Sequence, residues 1–240
     1  EQFGAQRVIE APLAGAGVIG VAIGLAMYGM HPICEIQSAE FLFPAFQQIV
    51  NEAARISYRT NGAWNVPLII RAPCGGGSGG GLYHSQSIEA FFTHVPGLRV
   101  VIPSNPYDAR GLLLSALDDP NPVLFLEPRL GYRLLQGTVP ETAYRVPLGK
   151  AQVTRPGGSL SLITYGMMHS LALKASEAAA AEGIEIEVVD LRSLSPLDTA
   201  TIFESVHKTS KVLILHEDNL SGRFGAKIAA LIATQASTDP

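Results

Sequence analysis

The sequence has few cysteines, few charged residues and no apolar run long enough to cross a bilayer. Cys34 and Cys74 lie far apart and match neither a zinc-binding spacing nor a disulfide framework, which favours free thiols in a reducing compartment. The longest apolar stretch, residues 18–30, is interrupted by glycines, so we expect no membrane span. A net charge of -4 without basic clusters gives no electrostatic reason to expect nucleic acid.

The sequence does contain short apolar segments, which alternate between runs typical of strands and periodic segments typical of helices. Hydrophobic residues make up 47% of 240 residues, enough for an ordered globular protein. In the first half, short apolar runs predict strands, and segments of helical periodicity separate them. The predicted strands are 32–36, 67–71, 98–102 and 122–126, and the predicted helices are 13–28, 43–58 and 107–117. This alternation predicts a parallel sheet covered by helices.

The region 128–150 is rich in proline and glycine and has the composition of an interdomain connection. We therefore predict a first domain over 1–127, a linker over 128–150 and a second domain over 151–240. The second domain repeats the alternation, with strands at 160–164, 184–189 and 212–216 and helices at 168–181, 199–207 and 222–234. The predicted fold class is α/β, with two doubly wound domains.

A glycine-rich loop, residues 74–81, precedes the polar cluster Tyr83-His-Ser-Gln-Ser87. No Gly-Lys-Ser/Thr follows the glycines, so a flexible loop is favoured over a phosphate cradle. The cluster follows a predicted strand, at the end where open parallel sheets bind ligands, which makes His84 a candidate acid or base. The alternative for His84 is a solvated or capping histidine.

Two further candidates lie after the second predicted strand. Strand alternation places Glu35 and Gln37 on one face, with Ile36 on the other. Gln37 is able to hydrogen-bond a ligand ring or, alternatively, backbone groups of the adjoining loop. Phe41 is a further aromatic candidate whose simpler interpretation is a core side chain.

Matching segments spread along the chain resemble one family, the beta subunits of branched-chain 2-oxo acid and pyruvate dehydrogenases. These segments are residues 7–13, 35–37, 43–46, 48–54, 82–87, 103–111, 119–122, 126–128 and 216–217. The resemblance implies a transketolase-like pyrimidine-binding domain followed by a transketolase C-terminal-like domain, the latter expected to be incomplete. It also implies cytoplasmic localisation in a bacterium, or the mitochondrial matrix in a eukaryote.

The resemblance assigns roles to individual residues. It implies that Leu13, Gln37 and Phe41 line the aminopyrimidine pocket of thiamine diphosphate, with Gly15 beside them. It implies that His84 assists acyl transfer to a lipoyl group. It further implies a structural potassium site at the carbonyl groups around Ala116, Asp119 and Asn121.

The sequence contains no Gly-Asp-Gly, the motif that holds diphosphate and magnesium in this superfamily. The resemblance therefore implies an alpha subunit that supplies the magnesium site within an alpha2beta2 heterotetramer, and a lipoyl acyltransferase as a further partner. The implied activity is oxidative decarboxylation of a 2-oxo acid, with acyl transfer to lipoamide. The segments at 35–37 and 82–86 favour a branched-chain substrate.

The chain departs from the family at Gly15, where the family has a glutamate that bonds the pyrimidine ring and promotes cofactor activation. Glycine has no side chain with which to transfer a proton, so we expect slow cofactor activation, by roughly 10² to 10⁴-fold. Glu10, Glu35 and Glu40 are not in register with this position. Two hypotheses follow: a catalytic beta subunit with weak turnover, or a non-catalytic homologue that serves assembly or regulation.

Overall fold

The computed structural model describes residues 2–236, in which strands and helices alternate along the chain. The helices are α1 (Gly15–Met27), α2 (Ile56–Arg59), α3 (Glu89–Thr93), α4 (Pro106–Asp118), α5 (Gly131–Leu134), α6 (Met167–Ala180), α7 (Thr199–Thr209) and α8 (Phe224–Ala236). The strands are β1 (Ile33–Glu35), β2 (Ile69–Cys74), β3 (Arg99–Val101), β4 (Val123–Pro128), β5 (Gln152–Arg155), β6 (Leu160–Thr164), β7 (Ile186–Asp190), β8 (Ser193–Ser195) and β9 (Val212–Leu215).

The first sheet has the strand order β1-β2-β4-β3-β8. Strands β1 to β4 pair in parallel, which confirms the parallel arrangement predicted for the first half. Their apolar residues, including Ile70, Val100 and Leu124, are buried because helices cover both faces of a parallel sheet. The edge strand β8 was not predicted and pairs antiparallel with β3, although it comes from the second half of the chain.

The second sheet has the strand order β5-β7-β6-β9. Strands β6, β7 and β9 pair in parallel, as predicted, and β5 adds an antiparallel edge that was not predicted. Because β8 belongs to the first sheet, the two halves of the chain share a continuous core. The buried side chains of Phe92 and Phe224 belong to the same apolar cluster although they come from different halves.

The region predicted as a single helix over 43–58 is instead broken into three helical pieces. A 3-10 helix at Ala39–Ala45 contains Pro44, a π-helical segment follows at Gln48–Ala53, and α2 completes the region. Proline has no amide hydrogen to donate and interrupts a regular α-helix, which explains the tight first piece. Among residues 2–236, none of the helices combines the length and apolar character needed to span a membrane.

Candidate functional site

The candidate site lies where β1 and β2 end, at the carboxyl edge of the first sheet. The segment after β1 carries Gln37 and Phe41, and the loop after β2 carries His84. Carboxyl ends of neighbouring parallel strands meet at one edge of a sheet, so both segments reach the same place. The fold thus brings candidate residues from two separated parts of the sequence together.

The loop that carries His84 is shaped by glycine. Gly75 adopts a positive φ of 84°, and its amide donates a hydrogen bond to the Gln86 carbonyl at 2.9 Å, which closes the loop on itself. A Cβ at Gly80 would lie 2.6 Å from Cβ of His84, so only glycine fits there without a shift. The glycine-rich sequence therefore positions the His84 backbone.

His84 contacts the segment that follows β1 through two side chains. Its Nδ1 is hydrogen-bonded to Oε1 of Glu40. Its ring meets the Phe41 ring edge to face, with the ring centroids 6.3 Å apart. A carboxylate partner favours the tautomer with hydrogen on Nδ1 and leaves Nε2 free to accept or donate a proton. The geometry suits His84 for acid–base chemistry.

Glu40 is held by groups on its other side. Ser38 Oγ donates to Oε2 of Glu40 at 2.6 Å, and Nη2 of Arg129 donates to Ser38 Oγ. Burial raises the pKa of Glu40, but hydrogen bonds from Ser38, from its own backbone and from His84 outweigh burial and lower the pKa overall. Glu40 therefore stays ionised as an acceptor for His84. Sequence reasoning considered Glu40 only as a replacement for a carboxylate at position 15 and missed this pairing.

Gly15 lies at the start of α1, packed against the same segment. A Cβ at position 15 would lie 2.7 Å from the Phe41 carbonyl oxygen and 3.6 Å from Cβ of Ala45. The nearer of these atoms belongs to the backbone, which cannot rotate away as a side chain does. Any larger residue at position 15 thus requires the 3-10 helix to shift.

The remaining pocket candidates lie at the surface. Leu13 is 69% exposed, Gln37 is exposed beyond the buried Ile36, and Phe41 is half-buried. The exposure of Gln37 and the burial of Ile36 match the predicted alternation. An apolar side chain, an amide and an aromatic ring suit a neutral heteroaromatic ring such as a pyrimidine. Position 15 is a glycine, so it offers no carboxylate to bond such a ring. The pocket roles of Leu13, Gly15, Gln37 and Phe41 stay predictions.

The predicted potassium site forms a separate turn between α4 and β4. The Ala116 carbonyl accepts a hydrogen bond from the Asp119 amide at 3.4 Å. Oδ1 of Asp119 accepts from the backbone and side-chain nitrogens of Asn121, and Oδ2 accepts from Arg99. The Asp119 carboxylate is thus engaged by protein donors, which leaves carbonyl oxygens as the ligands for a cation. This site also stays a prediction.

The second half of the chain reaches the site through Glu217, which sequence reasoning had noted only as a family match. The Gly76 amide donates to Oε1 of Glu217, and a Cβ at Gly75 would lie 3.2 Å from Oε2 of the same residue. The glycines let the carboxylate approach the loop backbone. Glu217 therefore anchors the loop that carries His84.

Models of two protein families match the chain. The pyrimidine-binding domain of transketolase matches residues 1–134, and the C-terminal domain of transketolase matches residues 149–240. Together they cover both halves of the fold and leave a short stretch between them.

Curated relatives are similar along nearly the whole chain. The beta subunit of 2-oxoisovalerate dehydrogenase from Bacillus subtilis (strain 168) is 50% identical over 239 residues, which is 100% of this chain and 73% of the relative. A mitochondrial beta subunit 2 of the same enzyme from Arabidopsis thaliana is 49% identical over 97% of this chain and 65% of its own length. The pyruvate dehydrogenase E1 component subunit beta of Acholeplasma laidlawii is 40% identical over 98% of this chain and 72% of its own length.

A solved structure has the same fold. It is described as a split-gene transketolase in an inactive beta4 tetramer, and it superposes with a TM-score of 0.77 at 26% identity. The alignment covers 95% of this chain and 70% of that structure. The likeness confirms the predicted class of two transketolase-like α/β domains.

Proposed function

Because the chain belongs to the family of 2-oxo acid dehydrogenase E1 beta subunits, we propose that it supplies half of a thiamine diphosphate site. The observation that carries this proposal is the contact of Phe41 with His84 at the open edge of the first sheet, beside Gly15. Leu13, Gln37 and Phe41 hold the neutral pyrimidine ring by apolar contact and hydrogen bonding. When bound, the cofactor stabilises the negative charge that decarboxylation leaves on the substrate.

The charged end of the cofactor belongs to a different chain in this proposal. The sequence has no Gly-Asp-Gly motif for diphosphate and magnesium, and the net charge of -4 favours no polyanion. An alpha subunit therefore supplies the magnesium site, in an alpha2beta2 heterotetramer. Its surface covers the exposed side chains of this face.

His84 acts at the stage of acyl transfer. Glu40 holds its Nδ1 hydrogen, so Nε2 exchanges a proton with the sulfur of a lipoyl group carried by an acyltransferase partner. Relatives named for 2-oxoisovalerate support a branched-chain 2-oxo acid as substrate. The potassium site at the turn of Ala116, Asp119 and Asn121 stabilises the subunit without taking part in the chemistry.

Gly15 limits this activity. Without a carboxylate at position 15, the chain has no group there to hold a proton against the pyrimidine ring, and cofactor activation is slow. The test is to co-express the chain with an alpha subunit of a 2-oxoisovalerate dehydrogenase and to measure decarboxylation with an artificial electron acceptor. We expect Gly15→Glu to raise the rate by roughly 10² to 10⁴-fold.

Gly15→Gln is the matched control, because glutamine has the size of glutamate without its acid. Both variants disturb the Phe41 carbonyl alike, so a rise confined to glutamate identifies the carboxyl group. A wild-type rate as high as that of the glutamate variant contradicts the proposal that Gly15 limits catalysis.

The second candidate function is a non-catalytic homologue that serves assembly or regulation. It is favoured by Gly15 and by the similar structure described as an inactive beta4 tetramer. This hypothesis predicts that the purified chain forms a homo-oligomer and that Gly15→Glu restores no activity while remaining folded and able to bind an alpha subunit. Native mass measurement with and without the alpha subunit separates the two functions.

A further inference from the structure

A second cluster of ionisable groups lies between the two halves of the chain, separate from His84. Glu89 begins α3 in the first half, whereas His216 and Asp218 follow β9 in the second half. One possible ligand atom of each of these three residues lies within 4.8 Å of those of the other two. The cluster thus gathers two carboxylates and an imidazole from distant parts of the sequence.

Glu89 is the most deeply placed member of this cluster. It is 1% exposed, and its Oε1 accepts a hydrogen bond from the Tyr165 hydroxyl at 2.9 Å. Within the described residues, Oε2 of Glu89 and Oδ2 of Asp218 are both buried without a hydrogen-bond partner. A buried carboxylate oxygen without a partner is costly, which calls for a proton, a water molecule or a cation at this place.

His216 is oriented by its neighbours. Its ring stacks on Tyr165 with the centroids 5.6 Å apart, and its Nδ1 lies 3.1 Å from the Tyr165 hydroxyl. On the other side of the ring, Nε2 packs against Gly225, where a Cβ would lie only 2.3 Å away. The Tyr165 hydroxyl, which donates to Oε1 of Glu89, therefore links Nδ1 of His216 to Glu89.

The charges around the cluster are mostly negative. Glu217 and Asp218 both raise the pKa of Glu89, although burial is the largest cause, and the net result is a pKa of about 7. Burial and, to a smaller extent, Arg223 lower the pKa of His216, whereas Asp218 raises it. Cys74 lies nearby, and burial raises the pKa of its thiol. Next to the cluster, a cavity of about 20 Å³ lined by Cys74, Glu89, Tyr165 and Glu217 has room for one water molecule; His216 and Asp218 do not line it.

We propose that Glu89, His216 and Asp218 bind one divalent transition-metal ion that joins the two halves of the chain. Two carboxylates and one imidazole are a ligand set that suits Zn²⁺ or Mn²⁺. Tetrahedral ligands at the usual zinc distances lie about 3.5 Å apart, so ligand atoms that now lie within 4.8 Å of one another approach each other by up to about 1 Å on binding. The cation also compensates the unpartnered oxygens of Glu89 and Asp218.

The site holds the second half against the first, and its neighbour Glu217 anchors the loop that carries His84. Binding therefore stabilises the contact between the halves whether or not the chain catalyses decarboxylation. This consequence does not rest on the proposed function, because it is measured on the full chain alone.

The test is titration of the untagged full chain with ZnCl₂, and separately with MnCl₂, after treatment with EDTA. We expect one equivalent to bind by isothermal titration calorimetry. At a hundredfold excess over Kd, the Tm is expected to rise by roughly 5–10 °C. Glu89→Gln and Asp218→Asn are each expected to weaken binding at least about tenfold and to remove most of the rise in Tm.

Glu182→Gln is the matched control, since Glu182 is an exposed glutamate after α6 and outside the cluster. It should bind metal like the wild type. Asp218 is only partly buried, so Asp218→Asn keeps the test decisive if Glu89→Gln fails to fold. The proposal is overturned if neither ion binds, or if binding is equally strong in the folded Asp218→Asn variant.

Discussion

Polar residues are exposed on the surface around His84, which we call the face, and buried where the two halves of the chain meet, which we call the seam. At the face, Leu82 is 79% and Tyr83 69% exposed, and His84 itself is exposed. In the seam, Asp108, Asp190 and Arg192 are buried, and Arg192 donates hydrogen bonds to Asp108, Gln152 and the Lys150 and Ala151 carbonyls. The seam is completed by this chain alone, whereas the face presents apolar side chains and the candidate catalytic residue His84 to solvent.

This difference separates stability from function. Exposed apolar groups beside a reactive histidine are typical of a surface that a partner covers. Buried charges that bond to one another, such as Arg192 and Asp108, instead fix how the halves of one chain pack. Substitutions at the face should therefore alter activity in the complex, and substitutions in the seam should alter the stability of the chain alone.

The largest expected effect is at the face. His84→Gln, in complex with an alpha subunit, should slow acylation of lipoamide by roughly 10² to 10⁴-fold because it removes the group that exchanges a proton. Decarboxylation measured with an artificial acceptor should change far less. His94→Gln, at an exposed histidine after α3, is the control. Equal loss in both assays would contradict a role confined to acyl transfer.

The next largest effect is in the seam. Arg192→Ala should lower the free energy of unfolding by about 3–5 kcal/mol, because it leaves the buried Asp108 carboxylate without its charged partner. Arg145→Ala breaks the exposed pair with Asp118 and should leave stability nearly unchanged. Urea denaturation of the chain alone provides the measurement. Similar losses in both variants would remove the distinction between buried and exposed pairs.

A smaller effect is expected inside α1, where packing differs between two glycines. Gly15→Ala should destabilise the chain by about 1–3 kcal/mol, since its Cβ meets the Phe41 carbonyl oxygen. The Cβ added by Gly24→Ala has no atom within 4 Å, so this substitution should stabilise the helix by about 0.5–1 kcal/mol. Thermal denaturation of both variants checks the opposite signs. A stabilised Gly15→Ala variant would show that the backbone around Phe41 moves away from the added Cβ at little cost in free energy.

The smallest effect is on pH dependence in the seam. Burial raises the pKa of Asp190 from 3.8 to about 7, with Asp108 adding to the rise while Ser104 and Arg192 oppose it. Because the folded pKa is raised, the protonated Asp190 carboxyl group contributes stability that is fully present below pH 3.8 and is lost as the pH rises from there through about 7. Asp190→Asn should reduce the loss of stability between about pH 6 and about pH 8 by about 1 kcal/mol. If the dependence of stability on pH is the same in Asp190→Asn as in the wild type, Asp190 does not bind a proton in this pH range.

Much of the fold was predictable because the periodicity of a long apolar segment indicates whether it forms a helix or a strand. Strand β6 has the predicted bounds, and α1, α4 and α6 differ from theirs by one or two residues. The edge strand β8 has only three residues and no periodicity, so its pairing with β3 depends on tertiary contacts that sequence patterns do not carry. The break in the helical region next to Pro44 could have been predicted from proline itself.

The candidate site was predictable in part for a related reason. A polar cluster after a strand led to His84, and the fold places Phe41 against it. The partner of His84, Glu40, lies 44 residues away in sequence, and neither residue indicates the other. The cluster of Glu89, His216 and Asp218 is assembled by contact between the halves, so no local spacing predicts it.

The central claim is that this chain holds only the neutral end of thiamine diphosphate. The most direct measurement is calorimetric titration of magnesium and thiamine diphosphate into the chain alone, into an alpha subunit alone and into their complex. We expect strong binding only by the complex, with the affinity reduced when Phe41 is changed to alanine. Tight binding of the magnesium-loaded cofactor by the chain alone would contradict the claim.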